Sequence, residues 1–374
     1  MTKTTTKPKK QLMRGTEAIG EAAIRAGCRF YAGYPITPQN ELPEYMARRM
    51  GELRDEHPEE NPVFIQSESE ISAINMLLGA SVTGARVMTS SSSPGISLKQ
   101  EGISFMAGQE LPAVIVNIMR GGPGLGNIAP SQADYYQATR GGGHGDYRTP
   151  VLAPATVQEM ADLTYEAFDI ADKYRTPVLI VGDGMMGQMM EPVVFGPNQP
   201  MKMVSKLPAK SWALRGSQGK PSRFNRSLIL PPDEMEDLNW RLYRKYQKIE
   251  RNEIRVELIG CEGADFIVVA YGTAARIAKS AVKRCQEKGL KVGLIRPITL
   301  WPYPTQAIRQ VADSGVTGFL TFELNMGQMV DDVRLAVEGR APVEFFGRPG
   351  GPVPTPADLT SAIRRTYNKM AKKN

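Results

Sequence analysis

At 374 residues the chain is too long for one hydrophobic core, and it predicts two domains joined by a connector. It has no run of about eighteen apolar residues, and its polar, basic start lacks the apolar segment of a secretory signal, so neither a membrane span nor an export leader is expected. The net charge is +7; three scattered cysteines (Cys28, Cys261, Cys285) and two histidines (His57, His144) exclude an iron–sulfur or His-based metal centre built by this chain alone and fit a reducing, cytoplasmic setting.

Residues 1–10 read as a disordered tail. Residues 16–26 have helical amphipathicity and are closed by Gly27. Residues 28–32 are the first predicted strand, followed by Gly33-Tyr34-Pro35-Ile36-Thr37-Pro38-Gln39 and a helix over 41–50. Each proline in that loop fixes its own φ and pushes the residue before it, Tyr34 or Thr37, out of the helical region. The loop therefore holds the Thr37 hydroxyl at the carboxyl end of a strand, where open α/β sheets bind ligands. A charged surface segment (51–61) and a buried strand (63–65) precede a helix over 70–81, with Ile71, Ile74 and Leu78 on one face. Strand 86–89 leads into Ser90-Ser91-Ser92-Ser93-Pro94-Gly95, then helix 97–109 and strand 113–118.

Residues 120–146 form a long Gly-rich excursion, and ordered loops of that length usually serve a site. Strand 151–152, helix 156–174 and strand 178–181 complete a first domain over 11–190. Alternating β and α elements imply a parallel sheet with helices on both faces. The Pro-rich stretch 191–260 reads as a connector with one charged helix over 233–251, and a smaller α/β unit fills 261–374. Residues 201–260 carry thirteen Lys/Arg against seven Asp/Glu. Without a nucleic-acid fold signature, such a stretch suits a solvated face or an acidic partner better than a nucleic acid.

Several residues combine a plain structural role with a chemical one. Glu70 opens its helix, where the helix dipole favours an acid capped by Ser67 or Ser69; a partly buried carboxylate there also suits proton exchange with a ring nitrogen. Arg120 ends a strand, either as a surface arginine or as a fork for a carboxylate ligand. Gly124-Leu125-Gly126-Asn127-Ile128-Ala129 matches a G-x-G-x-x-A dinucleotide fingerprint, although Pro130 falls where its helix should run. An NAD(P)-dependent dehydrogenase using Gly124, Gly126 and Ala129 is therefore the alternative reading. Gly182-Asp183-Gly184 reads as a strand-end turn. His144 and Asp146 form either a structural pair or a substrate contact, and Glu323-Leu324-Asn325-Met326-Gly327-Gln328 reads as a helix cap with an interface.

Taken together, Tyr34-Pro35-Ile36-Thr37-Pro38, Glu68-Ser69-Glu70-Ile71 with Gly79-Ala80-Ser81, and Met119-Arg120-Gly121-Gly122-Pro123 resemble the α subunit of 2-oxoacid:ferredoxin oxidoreductases. Gly143-His144-Gly145-Asp146, Arg296-Pro297 and the Glu323–Gln328 motif extend the resemblance over about residues 11–370. It is greatest for branched-chain (2-oxoisovalerate-type) subunits, with 2-oxoglutarate enzymes second. The resemblance implies an α/β fold: a thiamine-diphosphate-binding, pyrimidine-type parallel-sheet domain, then a smaller transketolase-C-terminal-like domain. It also implies that Glu70 faces the pyrimidine N1′ of thiamine diphosphate, with Tyr34, Pro35, Ile36 and Thr37 lining the cofactor. Thr37, Arg120 and His144 would contact the 2-oxo acid, with Thr37 and Arg120 counted with Glu70 as catalytic. A β subunit would hold the diphosphate, Mg²⁺ and at least one of the [4Fe-4S] clusters carried by the partner subunits, a γ subunit and a ferredoxin-like δ would complete the complex, coenzyme A would take the acyl group and ferredoxin the electrons.

Overall fold

A computed structural model describes residues 10–371 except 218, 220 and 221; the expected tail at 1–10 lies almost wholly outside the described residues. The first half runs β1 (Gln11–Arg14), α1 (Gly15–Arg25), β2 (Cys28–Gly33), α2 (Glu41–Glu56), β3 (Val63–Gln66), α3 (Glu70–Val82), β4 (Arg86–Ser91) and α4 (Ser93–Gly108). It continues with β5 (Ala113–Met119), α5 (Tyr135–Thr139), β6 (Val151–Leu152), α6 (Val157–Tyr174), β7 (Pro177–Asp183), α7 (Gly184–Gln188) and β8 (Met190–Val193). The second half runs α8 (Pro232–Asn252), β9 (Val256–Ile259), β10 (Phe266–Val269), α9 (Gly272–Gln286), β11 (Val292–Pro297) and β12 (Thr299–Trp301). It closes with α10 (Thr305–Asp313), β13 (Gly318–Glu323), α11 (Met329–Val337), β14 (Val343–Gly347) and α12 (Pro356–Ala371).

Seven strands form the large sheet in the order β12-β6-β7-β5-β4-β2-β3, and five form the small one in the order β14-β13-β10-β11-β9. Both are parallel except at one edge: β12 pairs antiparallel with β6, and β9 antiparallel with β11. Every residue of β4, β5 and β7 is buried, as expected for central strands covered on both faces. Arg86 at the start of β4 and Asp183 at the end of β7 are ionisable exceptions, Asp183 as a helix cap and Arg86 as an ion-paired side chain. For Arg86, the guanidinium bridges Asp169 and Asp172 of α6 at 2.6 and 2.8 Å, so the burial leaves no lone charge. The chain runs from β2 outward to β3, then crosses back to β4 on the other side of β2. That reversal opens a crevice between the carboxyl ends of β2 and β4, the usual ligand position in a doubly wound sheet.

Four local readings are corrected. The segment 51–61 is not a surface loop throughout: α2 continues to Glu56, with Leu53 packed inward and Glu52 paired to Arg48 and Arg49 on the outer face. β3 is half-buried rather than buried, because it is the sheet's edge. On α3 the inward face is Ala73, Ile74 and Leu77, whereas Ile71 is 49% exposed. The short β12 adds a strand from the second half of the chain to the large sheet. Some of the connector's basic residues are matched internally: Lys202 and Lys210 meet Asp169 and Asp172 of α6, and Arg241 and Lys245 meet Glu110.

Candidate active site

Three elements converge at the crevice. Glu70 is the first residue of α3, behind Ser69, which caps the helix by accepting the Ser72 N–H at 3.1 Å. Its side chain lies over α4: a β carbon placed on Gly95 would fall 2.7 Å from Glu70 Oε1 and 2.0 Å from Ser91 Oγ. Glu70 is 6% exposed, and its carboxylate accepts no hydrogen bond from the described residues. The Ser91 hydroxyl beside it, and that of the next residue, Ser92, are buried without partners among the described residues.

Arg120 directly follows β5 and is 7% exposed. Its Nη1 donates to the Thr37 carbonyl at 2.9 Å and its Nη2 to the Leu125 carbonyl at 3.0 Å, so it clasps the Pro-flanked loop to the Gly-rich loop. Nε is buried without a partner, and no carboxylate pairs with this guanidinium among the described residues. The Arg120 backbone N–H donates to Ser93 Oγ at 3.0 Å, which ties it to the start of α4. Ser93 Oγ and Asn117 Nδ2 in turn donate to Asp134 at 2.6 and 2.9 Å; burial pushes the Asp134 carboxyl up.

The loop 33–39 is braced from below. Tyr31 Oη lies 2.6 Å from Ser90 Oγ, which donates to Gln39 Oε1 at 2.5 Å, and Tyr31, Ser90 and Gln39 are all inaccessible. Tyr34, Pro35 and Thr37 are left exposed at its tip, with Ile36 half-buried. Thr37 thus meets Arg120 through its carbonyl, and its side chain is exposed. His144 is not brought to this group. Its carbonyl accepts from Ser104 Oγ at 2.6 Å and its ring stands edge-on to Phe105, about 16 Å along α4 from Ser93. No ion pair joins His144 to Asp146 among the described residues.

The excursion 120–146 is anchored on the second half. Gln132 donates to the Tyr271 carbonyl and accepts from the Leu324 N–H at 2.9 and 3.0 Å, while Tyr135 and Tyr136 donate to Asp332 and Asp331. Glu323 caps α11, accepting the N–H groups of Met329 and Val330 at 2.8 and 3.0 Å. The cap and the interface expected for the 323–328 motif are therefore both present. Asp183 caps α7 at the expected strand-end turn, accepting from Met185 and Met186. The dinucleotide reading is overturned: Arg120 bridges back to Pro130, and no helix begins behind Gly124-Gly126 until α5 at Tyr135.

Sequence reading missed Ser91, Ser92 and Lys99. The serines were visible as a polar run at the end of an apolar strand. Lys99 is wholly inaccessible, and its Nζ donates to Thr89 Oγ1 at 3.0 Å. Nothing in its local sequence marks it as buried.

Residues 21–237 match the family described as pyruvate flavodoxin/ferredoxin oxidoreductase, thiamine diphosphate-binding, and residues 264–359 match pyruvate:ferredoxin oxidoreductase core domain II. The chain is 49% identical to the ketoisovalerate oxidoreductase subunit VorB of Methanothermobacter marburgensis, over 95% of this chain and 97% of that one. Among solved structures it superposes on a 2-oxoglutarate:ferredoxin oxidoreductase from Magnetococcus marinus with a TM-score of 0.82 at 25% identity, covering 96% of this chain and 65% of that one. A split-gene transketolase shares the fold, with a TM-score of 0.57 at 16% identity over 94% of this chain and 97% of that one. The parallel-sheet domain is thus of the thiamine-diphosphate-binding class, followed by a transketolase-like smaller unit, and the chain belongs to the 2-oxoacid:ferredoxin oxidoreductase family.

Proposed function

We propose that this chain is the α subunit of a 2-oxoacid:ferredoxin oxidoreductase and supplies the pyrimidine-side wall of a thiamine diphosphate site shared with a β subunit. One observation carries the reading: Glu70 is buried at the mouth of the β2/β4 crevice with no hydrogen-bond donor among the described residues. A carboxylate removed from water is normally satisfied by the protein, and this one is open to a donor from outside. The aminopyrimidine ring fits that position, with Glu70 facing N1′ and the unpartnered Ser91 and Ser92 hydroxyls near the ring edge. Bound there, thiamine diphosphate supplies the carbanion-stabilising chemistry.

The chain's own residues orient the reactants. Glu70 holds or exchanges a proton at N1′. Tyr34, Pro35, Ile36 and Thr37 form the rigid rim over the ring. Arg120 is a buried cation without an acid partner among the described residues, which suits the carboxylate of a 2-oxo acid, and the exposed Thr37 adds a second donor through its hydroxyl. Leu125 and Ile128, 80% and 62% exposed on the same loop, give an apolar flank suited to a branched side chain. This favours 2-oxoisovalerate, in line with the relative's name, over 2-oxoglutarate.

The partners follow from what the chain leaves open. Ile71, Met76 and Leu98 project outward from α3 and α4, and Gly79 on α3 has nothing near it, so this ridge suits a covering β subunit. The diphosphate, Mg²⁺ and [4Fe-4S] clusters are assigned to partner subunits, because Cys28, Cys261 and Cys285 lie apart, in β2, in the turn between β9 and β10, and in α9. A γ subunit, a ferredoxin-like δ subunit, coenzyme A as acyl acceptor, ferredoxin as electron acceptor and a cytoplasmic location complete the proposal; no described helix is long and apolar enough to cross a membrane.

The test is the assembled complex with coenzyme A and a viologen dye, assayed on a panel of 2-oxo acids. Dye reduction that requires thiamine diphosphate, with the highest kcat/KM for 2-oxoisovalerate, is expected. A preference for 2-oxoglutarate overturns the substrate, and turnover without thiamine diphosphate overturns the reaction. Arg120→Ala is expected to raise KM for the 2-oxo acid more than it changes the affinity for the coenzyme.

A further inference from the structure

Helices α3 and α4 cross at two glycines. A β carbon on Gly95 would fall 2.7 Å from Glu70 Oε1, and one on Gly102 would fall 2.5 Å from Ile74 Cγ1. Only glycine lets the two backbones approach this closely at both points. Positions 95, 99 and 102 share one face of α4, so Lys99 is fixed on the crossing, between the contacts made by Glu70 and Ile74.

Lys99 is 0% exposed, and its ammonium has one hydrogen-bond acceptor among the described residues, Thr89 Oγ1 on β4 at 3.0 Å. Lysine is almost never fully buried without a partner, and a charge at that depth requires a counter-charge. Around it, Thr89 on β4 takes one ammonium proton, and the acid at the α3/α4 crossing is Glu70, which meets α4 at Gly95, one turn before Lys99, and acts on the ammonium through space rather than as a contact ion pair. The mechanism assigned to Glu70 gives Lys99 no role, yet Glu70 is the carboxylate that no hydrogen-bond donor holds.

We propose that Lys99 is the buried counter-charge of Glu70, a positioning residue that anchors the carboxylate from beneath by charge and leaves its oxygens free for the coenzyme ring. The pairing itself stands on this chain alone; its role at the ring rests on the reading that Glu70 faces thiamine diphosphate. Holding an acid by a cation rather than by donors keeps it in place without occupying the lone pairs that the ring needs. Burial pushes the Lys99 ammonium down to about 8, and the Glu70 charge opposes that fall. The anchor therefore weakens in mildly alkaline solution.

The full-length chain, labelled with ¹⁵N-lysine, tests the pair without any coenzyme. The Lys99 Nζ signal, identified by its loss in Lys99→Met, is expected to titrate near about 8. In Glu70→Gln it is expected to titrate about one pH unit lower, a tenfold loss of proton affinity. A midpoint that Glu70→Gln leaves unmoved overturns the proposal. In the assembled complex, thiamine diphosphate affinity is then followed against pH. Wild type is expected to weaken above about 8, and Lys99→Met and Lys99→Gln are expected to have lost that limb. Gln keeps a donor to Thr89, so a Lys99→Gln profile like wild type would reduce Lys99 to a structural hydrogen bond and overturn the anchor. If the pair couples in the isolated chain but Glu70→Gln binds and uses the coenzyme normally, the reading of Glu70 fails and the pairing survives.

Discussion

Glu70 opens α3 beside the seven-stranded sheet, and Glu323 ends β13 just before α11 in the five-stranded sheet. Both are buried acids at the carboxyl end of a parallel sheet and the start of a helix. Glu323 accepts from Asn325 Nδ2 and from the N–H groups of Gln328, Met329 and Val330, and is inaccessible. Glu70 accepts from none of its own helix, whose orphan donors are met by Ser69 instead. The same residue type in the same local setting thus does two jobs, and the difference lies in who supplies the hydrogen-bond donors. Glu323 is closed by its own backbone and fixes the start of α11. Glu70 accepts from no donor among the described residues, as the proposed coenzyme contact requires.

The sharpest way to break that contrast is to exchange both acids for glutamine. Glu70→Gln in the assembled complex is expected to lower thiamine-diphosphate-dependent turnover by roughly 10²- to 10⁴-fold, the usual worth of a positioned proton-transfer group. The unfolding midpoint of the isolated chain should fall only by the lost coupling to Lys99, about 1 kcal/mol near neutral pH. Near-normal turnover, measured by dye reduction, would put Glu70 in the same class as Glu323.

Lys99 sharpens the contrast from the other side, through pH. Its ammonium falls from an ordinary 10.5 to about 8 on folding, mainly by burial. Between those values the unfolded chain binds more protons than the folded one, so this group makes stability rise with pH across that window and contributes nothing further above it. The full swing is about 3 kcal/mol. Urea unfolding at pH 8 and pH 10 should show the wild-type stability gaining on Lys99→Met by that order; a constant difference would mean that Lys99 does not titrate there.

Glu323→Gln is expected to behave as the mirror image of Glu70→Gln. Replacing a charged acceptor of several N–H groups by an amide costs about 2 kcal/mol, read as a lower urea midpoint, with turnover per folded complex retained. Burial also raises the Glu323 carboxyl. Its folded form therefore holds a proton that the unfolded form has released, and this group lowers stability as pH rises through that interval. Glu323→Gln should remove that slope along with the hydrogen bonds.

Much of this was legible in the sequence because each signal was local. The apolar runs of β4, β5 and β7, the Pro-flanked loop and the acid at the start of α3 are all short-range patterns. The failures have physical causes. Helix α2 ran past Gly51 because outward-facing charges such as Arg48, Arg49 and Glu52 pair along a helix as readily as they populate a loop. β12 has three residues, too few to show a period, and its partner strand is distant in sequence. Ile71 was placed inward by its side chain, whereas the small Ala73 faces the core because α3 and α4 pack closely. Lys99 was invisible for the same reason: only the two glycines of α4, once docked on α3, turn an ordinary helix lysine into a buried one.

His144 gives the smallest effect and separates proximity in a motif from proximity in space. It belongs to the same Gly-rich excursion as Arg120, yet α4 holds the two apart, with Arg120 tied to Ser93 and the His144 carbonyl tied to Ser104. The His144 ring is exposed and touches the edge of Phe105, so its removal deletes a surface contact. His144→Ala is accordingly expected to change kcat/KM for the 2-oxo acid by about twofold or less, the range of an ordinary surface substitution. Arg120→Ala, in the same assay, should exceed it many times over. A loss in His144→Ala that rivals Arg120→Ala would mean that the excursion refolds when the partner subunits assemble, bringing the far end of α4 to the crevice.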